Sequence, residues 1–232
     1  MKASPASFPS LSVIIPAFNR EKLIVAAIEN VLSQEYQSCD IIVVDDGSTD
    51  GTAAAALLHP GVRVLSQPNS GPAAARNLGI ANACSDYLAF LDSDDLWEPG
   101  MLMRLVEELE RDPEIDVVLG LPQLARINED GEGHEIFGDH HSAFTRSISG
   151  TVFRRSVFSK VGTFDSELRF GEDADWFCRA QELGIRICKL NILSVTFLRH
   201  DDNMTRGKNM VDLNLLRVFK KSLDRKRSPE HS

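Results

Sequence analysis

Residues 87–97 read YLAFLDSDDLW, an unbroken apolar run that is followed at once by Asp92, Asp94 and Asp95. A run without alternating polar residues is typical of a strand that is buried on both faces of a sheet. Crowded carboxylates repel one another and raise one another's pKa, so such a cluster usually meets a cation or a hydrogen-bonding ligand. The stretch therefore predicts a buried strand that delivers negative charge to one point.

Similar strand-like runs precede this one along the chain, and helix-like segments separate them. The runs cover 11–16, 40–45 and 62–67, and the helix-like segments cover 20–34, 49–58, 72–84 and 98–111. This alternation favours parallel strands joined by helical crossovers. We therefore predict an α/β fold with a Rossmann-like, mostly parallel central sheet and helices on both of its faces.

Residues that favour helix ends agree with these boundaries. Ser48 or Thr49 is a suitable N-cap for the second helix, and Pro99 suits the first turn of the fourth. Asp112 precedes a proline and should end that fourth helix, because the residue before proline avoids the helical region.

The second half of the chain has less regular patterns. Residues 126–139 (RINEDGEGHEIFGD) are typical of a hairpin or an exposed loop with its turn at Asp130 and Gly131. A helix is expected at 171–184 and one or two strands at 185–198. In the last predicted helix the apolar residues recur at helical spacing. They are Val211, Leu215, Val218, Phe219 and Leu223.

The composition indicates one compact domain with a sizeable core, since the chain has 232 residues of which 43% are hydrophobic. A formal net charge of −9 argues against a nucleic-acid partner, because phosphate binding needs a basic face. The four cysteines have no C-x-x-C spacing and are expected to be reduced thiols in the core. No apolar stretch approaches the ~20 residues of a spanning helix, so we expect a cytoplasmic protein.

Basic residues concentrate near the end of the chain. Between Arg217 and Arg227, six of the eleven residues are Lys or Arg. Such a charge run is either a solvated helix face or a contact for an anionic surface. The second reading predicts peripheral contact with the inner face of a membrane.

Acidic residues end two of the predicted strands. Asp45 and Asp46 follow the run 40–45, as Asp92, Asp94 and Asp95 follow theirs. In a parallel sheet these ends face one cleft, and Mg²⁺ or Mn²⁺ prefers carboxylate and phosphate oxygens. Alternatively, Asp94 or Asp95 caps the next helix and Asp46 fixes the DDGST turn.

The usual phosphate loops do not occur, since the chain has neither G-x-G-x-x-G nor G-x-x-x-x-G-K-[ST]. Residues 67–80 (QPNSGPAAARNLGI) instead place a Gly-Pro turn before an alanine-rich helix that carries Arg76. Arg76 either meets an anion or a base, or pairs with a neighbouring acid.

Several motifs together resemble the family-2 inverting glycosyltransferases of the GT-A fold, over about Leu11 to Arg206. In order, they are LSVIIPAFNR, VVDDGSTDGT, NSGPAAARNLGI, YLAFLDSDDLWEPGMLMRLVEEL, FRRSVFSKVGTFDSEL and GEDADWFCRA. The resemblance implies one GT-A domain over 1–232. Its expected parts are a nucleotide-binding half (10–120), a smaller acceptor-binding half (121–206) and a C-terminal amphipathic helix (210–227).

The resemblance also implies roles for the nucleotide-binding residues. Asp46, with Asp45, is expected to contact the nucleobase, and Pro16 and Ala17 to border it. Arg76 is expected near the base or the phosphates.

The remaining roles concern the ribose, the metal and the proton. Asp92 is expected at the ribose, and Asp94 at a Mn²⁺ or Mg²⁺ ion that bridges the diphosphate. Asp173 is the expected catalytic base, with Glu172 as its rival, although Asp173 could simply cap its helix. His200 is expected to join the metal or the diphosphate, or else is an ordinary surface histidine.

The implied activity is the metal-dependent transfer of a sugar, with inversion, from a nucleotide-diphosphate donor to a hydroxyl acceptor. A UDP-sugar is favoured as donor, and the acceptor is expected to be a hydroxyl-bearing glycan or a lipid-linked molecule in polysaccharide or glycolipid assembly. Two other functions stay open: a nucleotidyltransferase, and an inactive module that binds a nucleotide-sugar. The 121–145 loop is expected to flank the acceptor.

Overall fold

The computed structural model describes residues 8–127, 133–137, 147–199 and 214–227. The strands are β1 (Leu11–Ala17), β2 (Cys39–Asp45), β3 (Val62–Ser66), β4 (Tyr87–Phe90), β5 (Asp95–Trp97), β6 (Val117–Ile127), β7 (His134–Ile136), β8 (Thr151–Arg154) and β9 (Ile187–Arg199). The helices are α1 (Ile24–Leu32), α2 (Thr52–Leu57), α3 (Pro72–Asn82), α4 (Met101–Arg111), α5 (Val157–Val161), α6 (Glu172–Glu182) and α7 (Leu215–Arg227). A 3₁₀ turn covers Ile148–Gly150.

One sheet contains all of these strands, in the order β3-β2-β1-β4-β8-β6-β9-β5, with β7 paired to β6. The first four strands along the chain are parallel, as predicted: β1 pairs with β2 and β4, and β2 pairs with β3. Antiparallel pairing begins where β8 lies beside β4 and continues between β8 and β6. The sheet is therefore mixed, since β6 and β9 pair in parallel again beyond the antiparallel strands. The acidic strand ends belong to the parallel strands of the first half.

Helices cover both faces of the sheet because successive strand residues point to opposite sides. On one face, Val13 and Ile15 belong to a core cluster that includes buried residues of α1 and α4. On the other face, Ile14 belongs to a second cluster with residues of α3, α5 and α6. Phe153 and Trp176 pack edge to face in this second cluster, with ring centroids 5.2 Å apart. The predicted α/β architecture is thus confirmed.

Two predicted helix starts are wrong, and each has a local reason. Helix α2 begins at Thr52 after an N-cap at Gly51, because the Ser48 and Thr49 groups instead bond Asn19: the Asn19 N–H donates to Ser48 Oγ, and the Thr49 N–H donates to Asn19 Oδ1. Helix α4 begins at Met101, since residues 95–97 first form β5 against β9. Its predicted end at Asp112 is confirmed.

The second half is also more regular than its sequence indicates. Strands β6 and β7 pair in antiparallel fashion, which confirms a hairpin, while the turn at Asp130 and Gly131 lies outside the described residues. The beginning of the predicted 121–145 loop is therefore strand. Residues 187–199 form a single strand.

The cysteines and the last helix differ from prediction in their burial. All four cysteines are free thiols, but Cys84 is exposed and the other three are only partly buried. In α7 only Val218 is buried, whereas Phe219 and Leu223 are exposed. The periodic apolar residues of this helix therefore do not form one face against the core.

The close contact of α3 with β1 depends on Gly79. A Cβ at this position would lie 2.4 Å from Cγ2 of Ile14. We expect Gly79→Ala to lower the free energy of unfolding by about 1–3 kcal/mol, because the added methyl overpacks a buried contact. Urea denaturation measures this change. In an Ile14→Ala background the penalty should shrink, and an equal penalty in both backgrounds would contradict the assigned contact.

Candidate active site

A cavity of about 800 Å³ lies where the parallel strands end. Its wall includes Pro16 and Ala17 of β1, Asp46 directly after β2, and Asp92 and Asp94 after β4. The volume is in the range of small-molecule sites, and the carboxyl edge of a parallel sheet is the usual place for one. Residues of α3 and, from the second half of the chain, residues at the start of α6 complete the wall.

Asp46 holds the segment before α3 against the end of β2. Its Oδ1 accepts hydrogen bonds from Gln67 Nε2 at 2.7 Å and from the Ser70 N–H at 2.8 Å, and its Oδ2 accepts one from the Gly71 N–H at 2.8 Å. Gly71 has a φ of +91°, a backbone conformation that favours glycine. Asp46 therefore shapes the cavity wall as well as lining it.

Asp45 has a different position from its neighbour. Its Oδ1 accepts a hydrogen bond from the Ser48 N–H at 3.2 Å, and the residue is absent from the cavity wall. Asp45, rather than Asp46, thus fixes the DDGST turn. Of the two strand-end acids, only Asp46 reaches the cavity.

Arg76 joins two acids that come from distant parts of the chain. Its Nη2 donates to Asp92 Oδ1 at 2.6 Å, and its Nη1 donates to Glu172 Oε1 at 2.7 Å. The residue is only 5% exposed, and its Nε has no hydrogen-bond partner within the described chain. The alternative in which Arg76 pairs with neighbouring acids is therefore the arrangement observed.

The cavity shifts the pKa values of its ionisable groups. Burial is the main cause that raises the pKa of Asp173, and the negative charge of Asp92 adds to it. Burial also raises the pKa of Glu172, despite the opposing effect of the Arg76 charge. For Arg76, burial opposes the charged form, but the two carboxylates outweigh it and raise the pKa. Carboxyl groups with raised pKa values in a cavity are typical of functional sites.

Asp173 lies in the first turn of α6 but is not its N-cap. The N-cap is Gly171, and Asp173 Oδ1 accepts a hydrogen bond from the Ala174 N–H at 2.7 Å. Both Asp173 and Glu172 line the cavity. Asp173 therefore does part of what the capping alternative assigns to it, since it satisfies one backbone N–H of the first turn, and it also lines the cavity.

Neither Asp94 nor Asp95 caps α4, whose N-cap is Gly100. Asp94 instead lies 3.7 Å from Nη2 of Arg20, measured from its Oδ2. Acidic groups outnumber arginines in the cavity wall. The acids are Asp46, Asp92, Asp94, Asp95, Glu167, Glu172 and Asp173, and the arginines are Arg20, Arg76 and Arg169.

This charge balance matters for the choice of ligand. An excess of carboxylates repels an anion such as a diphosphate unless a cation enters with it. Within the described residues no group of three or more His, Cys, Asp or Glu side chains could hold a metal ion by itself. The donor set nevertheless fits Mg²⁺ or Mn²⁺, since such ions need only one or two carboxylates when phosphate oxygens complete the shell.

The cavity brings together eight of the ten predicted site residues. They are Pro16, Ala17, Asp46, Arg76, Asp92, Asp94, Glu172 and Asp173. Asp45 lies outside the wall, and His200 lies outside the described residues.

The sequence analysis assigned no role to Arg20 or to the 166–170 part of the wall. Arg20 ends the quoted motif LSVIIPAFNR and, as the first cation after β1, could have been found as a partner for the strand-end acids. Residues 166–168 end the quoted motif FRRSVFSKVGTFDSEL, and residues 169 and 170 link it to GEDADWFCRA.

Comparison with known proteins identifies the family. A model of glycosyl transferase family 2 matches residues 12–162, which is more than half of the chain. The chain belongs to glycosyltransferase family 2. Glu172 and Asp173 lie just beyond the matched residues.

Among curated proteins, this family-2 chain is 39% identical over 150 residues to an uncharacterized glycosyltransferase of Rickettsia felis. That match covers 63% of this chain and 23% of the relative. It is 31% identical over 189 residues to succinoglycan biosynthesis protein ExoO of Rhizobium meliloti, covering 71% of this chain and 53% of ExoO. The chain thus spans about a quarter of the length of the Rickettsia felis protein and about half of the length of ExoO.

Solved structures confirm the GT-A fold. TarS 1–349 of S. aureus in complex with UDP-GlcNAc superposes with a TM-score of 0.76 at 20% identity, covering 96% of this chain and 68% of TarS 1–349. Mannosyltransferase PcManGT from Pyrobaculum calidifontis, in complex with GDP-Man and Mn²⁺, superposes with a TM-score of 0.74 at 20% identity. That match covers 97% of this chain and 67% of PcManGT.

Within the ranges that the structure covers, no helix is both long and apolar enough to cross a membrane.

Removing the Arg76 charge should destabilise the fold. We expect Arg76→Gln to cost about 3–5 kcal/mol in the free energy of unfolding, because it leaves Glu172 as a buried charge without its partner. Urea denaturation at neutral pH measures the loss. The double variant with Glu172→Gln should recover part of it, and Arg104→Gln on the exposed side of α4 is the matched control. Equal stability of Arg76→Gln and this control would contradict the ion pair's role.

Proposed function

We propose that this chain transfers a sugar, with inversion, from a nucleoside-diphosphate donor to a hydroxyl acceptor. The observation that carries the proposal is the convergence of Asp92 and Glu172 on Arg76 in one cavity. This convergence joins the strand-end acids of the nucleotide half to the helix-start acids of the second half. Family membership supports the reaction class.

The nucleotide is proposed to bind at the edge of β1 and β2. Pro16, Ala17 and Asp46 would border the base, and Asp92 would meet the ribose. Asp46 already accepts three hydrogen bonds from the protein, so its first role is to hold the base-binding wall in shape. Its carboxylate oxygens have further lone pairs, which would accept hydrogen bonds from the base. A UDP-sugar is the favoured donor, and the TarS complex with UDP-GlcNAc supports this choice by likeness of fold.

Asp94 is proposed to hold Mn²⁺ or Mg²⁺ together with the diphosphate. When bound, the ion would offset the charge that grows on the leaving diphosphate. The excess of carboxylates in the wall supports this assignment, as does the Mn²⁺ named for the PcManGT complex. Arg20, near Asp94, would orient that carboxylate.

Asp173 is proposed as the base that accepts the proton of the attacking hydroxyl. Glu172 is the weaker candidate because its Oε1 is already held by the Arg76 guanidinium at 2.7 Å, whereas Asp173 Oδ1 accepts a hydrogen bond from the neighbouring Ala174 N–H. The raised pKa of Asp173 suits this task, since a base works best when its pKa approaches the working pH.

The acceptor is proposed to be a glycan or lipid-linked hydroxyl used in polysaccharide or glycolipid assembly, at the cytoplasmic face of the membrane. The names of two relatives support this class: succinoglycan biosynthesis protein ExoO and minor teichoic acid biosynthesis protein GgaA of Bacillus subtilis. An inactive nucleotide-sugar-binding module would bind the same donor without turnover, so the variants below separate the two functions.

Thermal unfolding with UDP, GDP or dTDP, each with and without Mn²⁺, tests donor and metal binding. We expect UDP to raise the melting temperature most, and only in the presence of Mn²⁺, because a ligand that binds the folded state stabilises it. The Asp94→Asn variant should lose the rise in melting temperature that depends on Mn²⁺. Glu107→Gln, on the exposed side of α4, is the control and should behave as wild type. A full Mn²⁺ effect in Asp94→Asn would refute the metal assignment.

Asp173→Asn tests the base. We expect turnover to fall by about 10²–10⁴, as is usual when a general base is removed, while UDP affinity measured by calorimetry stays near wild type. Glu172→Gln should affect turnover less. Unchanged turnover in Asp173→Asn would show that Asp173 is not the catalytic base.

The same variant should be more stable than wild type at neutral pH. The folded-state pKa of Asp173 lies above its unfolded value, so its charge costs stability above the folded pKa. This cost disappears as the pH falls below the unfolded pKa. The gain in melting temperature of Asp173→Asn should therefore shrink on acidification, and a gain that does not depend on pH would contradict the shift.

A further inference from the structure

Helix α7 turns two of its six basic side chains towards the protein: Lys221 pairs with Asp165, and Arg225 Nε donates to Glu182 Oε2 at 2.7 Å. On the flank, Arg217 Nη2 lies 3.2 Å from Glu167 Oε2. Val218 is the one fully buried residue of this helix.

The apolar residues of α7 point away from the protein. Leu216, Phe219 and Leu223 are 56%, 53% and 52% exposed. Their spacing of three and four residues puts them on one side of the helix. Three large apolar side chains thus form a continuous strip that the rest of the described chain does not cover.

Three exposed cations flank this strip, and one of them, Lys226, also interacts electrostatically with Glu182. At 3.6 residues per turn, Lys220 and Arg227 lie on one side of the strip and Lys226 on the other. All three are exposed, and within the described residues none has an ion pair. The inward basic residues of the same helix are paired, so the outward set is not simply an extension of the ion-pair network.

We propose that the outward face of α7, formed by Leu216, Phe219, Leu223 and the three flanking cations, docks on an anionic membrane surface. A helix with an apolar strip and basic flanks lies in the interface, with its apolar side chains among the acyl chains and its cations at the phosphates. Long Lys and Arg side chains reach from the helix to that level.

The charges disfavour a second copy of this chain as the occupant. Two α7 helices packed strip to strip would bring their exposed cations close together, and like charges at short distance repel. Anionic headgroups would instead offset them. The net charge of −9 repels the rest of the protein from such a surface, so the contact is confined to this helix.

The first residues of α7 and the residue before it connect the proposed docking surface to the cavity wall. Asn214 Nδ2 donates to the Phe170 carbonyl at 3.4 Å, and Arg217 contacts Glu167. Phe170 and Glu167 both line the cavity. The membrane would therefore lie roughly 10 Å from this wall, the diameter of a helix. If the proposed function holds, a lipid-linked acceptor would be within reach, but docking itself does not depend on that activity.

Tryptophan fluorescence offers a direct test. The two native tryptophans, Trp97 and Trp176, are buried, so a Phe219→Trp variant adds one exposed reporter. We expect its emission to shift to the blue with phosphatidylglycerol vesicles and not with phosphatidylcholine vesicles. The shift should diminish at about 1 M salt, where the Debye length is about 3 Å. The control is Leu58→Trp, at the end of α2, where the native side chain is 80% exposed.

Vesicle flotation then measures affinity. A Leu216→Ser, Phe219→Ser, Leu223→Ser variant should bind phosphatidylglycerol vesicles about tenfold or more weakly than wild type, because apolar burial drives the insertion. A Lys220→Glu, Lys226→Glu, Arg227→Glu variant should also bind weakly. Both should keep wild-type UDP binding, which separates failure of docking from failure of the proposed function.

Three results would overturn the proposal. One is the absence of a blue shift for Phe219→Trp with anionic vesicles at low salt. Another is an equal shift at Leu58→Trp. The third is a shift that depends on protein concentration and not on vesicles, which would assign this face to a second copy of the chain.

Discussion

A buried cation shared by two acids ties the two halves of this protein together. Arg76 comes from α3, while its partners Asp92 and Glu172 come from the end of β4 and the start of α6. Neither the guanidinium nor the buried Glu172 carboxylate would be tolerated alone in this environment, since an unpaired buried charge is strongly unfavourable. The parallel half and the mixed half of the sheet therefore meet around one electrostatic contact, and the cavity forms at the place where they meet.

The site keeps more negative charge than its arginines balance. Burial raises the pKa values of Glu172 and Asp173, so their ionised forms are held at a cost to the stability of the folded state. A divalent ion that arrives with a diphosphate would offset the excess at Asp94, and a proton taken from an acceptor would neutralise Asp173. On this account, the cost of holding these carboxylates in the cavity and the proposed chemistry have the same origin. The outward face of α7 lies beside the same wall and would bring the cavity to a membrane.

The sequence predicts the parts of this structure that depend on local patterns. Unbroken apolar runs marked β1, β2 and β4, and the acids behind them marked the cavity edge. Contacts between distant residues could not be predicted this way: the pairing of Arg76 with Glu172 joins positions 96 residues apart. A pattern also could not decide between Asp45 and Asp46, since the local turn determines which of two adjacent acids reaches the cavity. In α7, helical spacing indicated an amphipathic helix but not which side faces the protein: Val218 is buried while Phe219 and Leu223 are exposed, because ion pairs with other elements orient the helix.

The central claim is that the carboxylates at the sheet edge are held there for a nucleoside diphosphate and a divalent ion. A crystal structure of the protein with UDP and Mn²⁺ tests it most directly. The account predicts uracil beside Pro16 and Asp46, the ribose at Asp92, and an ion that joins Asp94 to the diphosphate. Density for UDP elsewhere on the protein, or an ion bound away from Asp94, would contradict it.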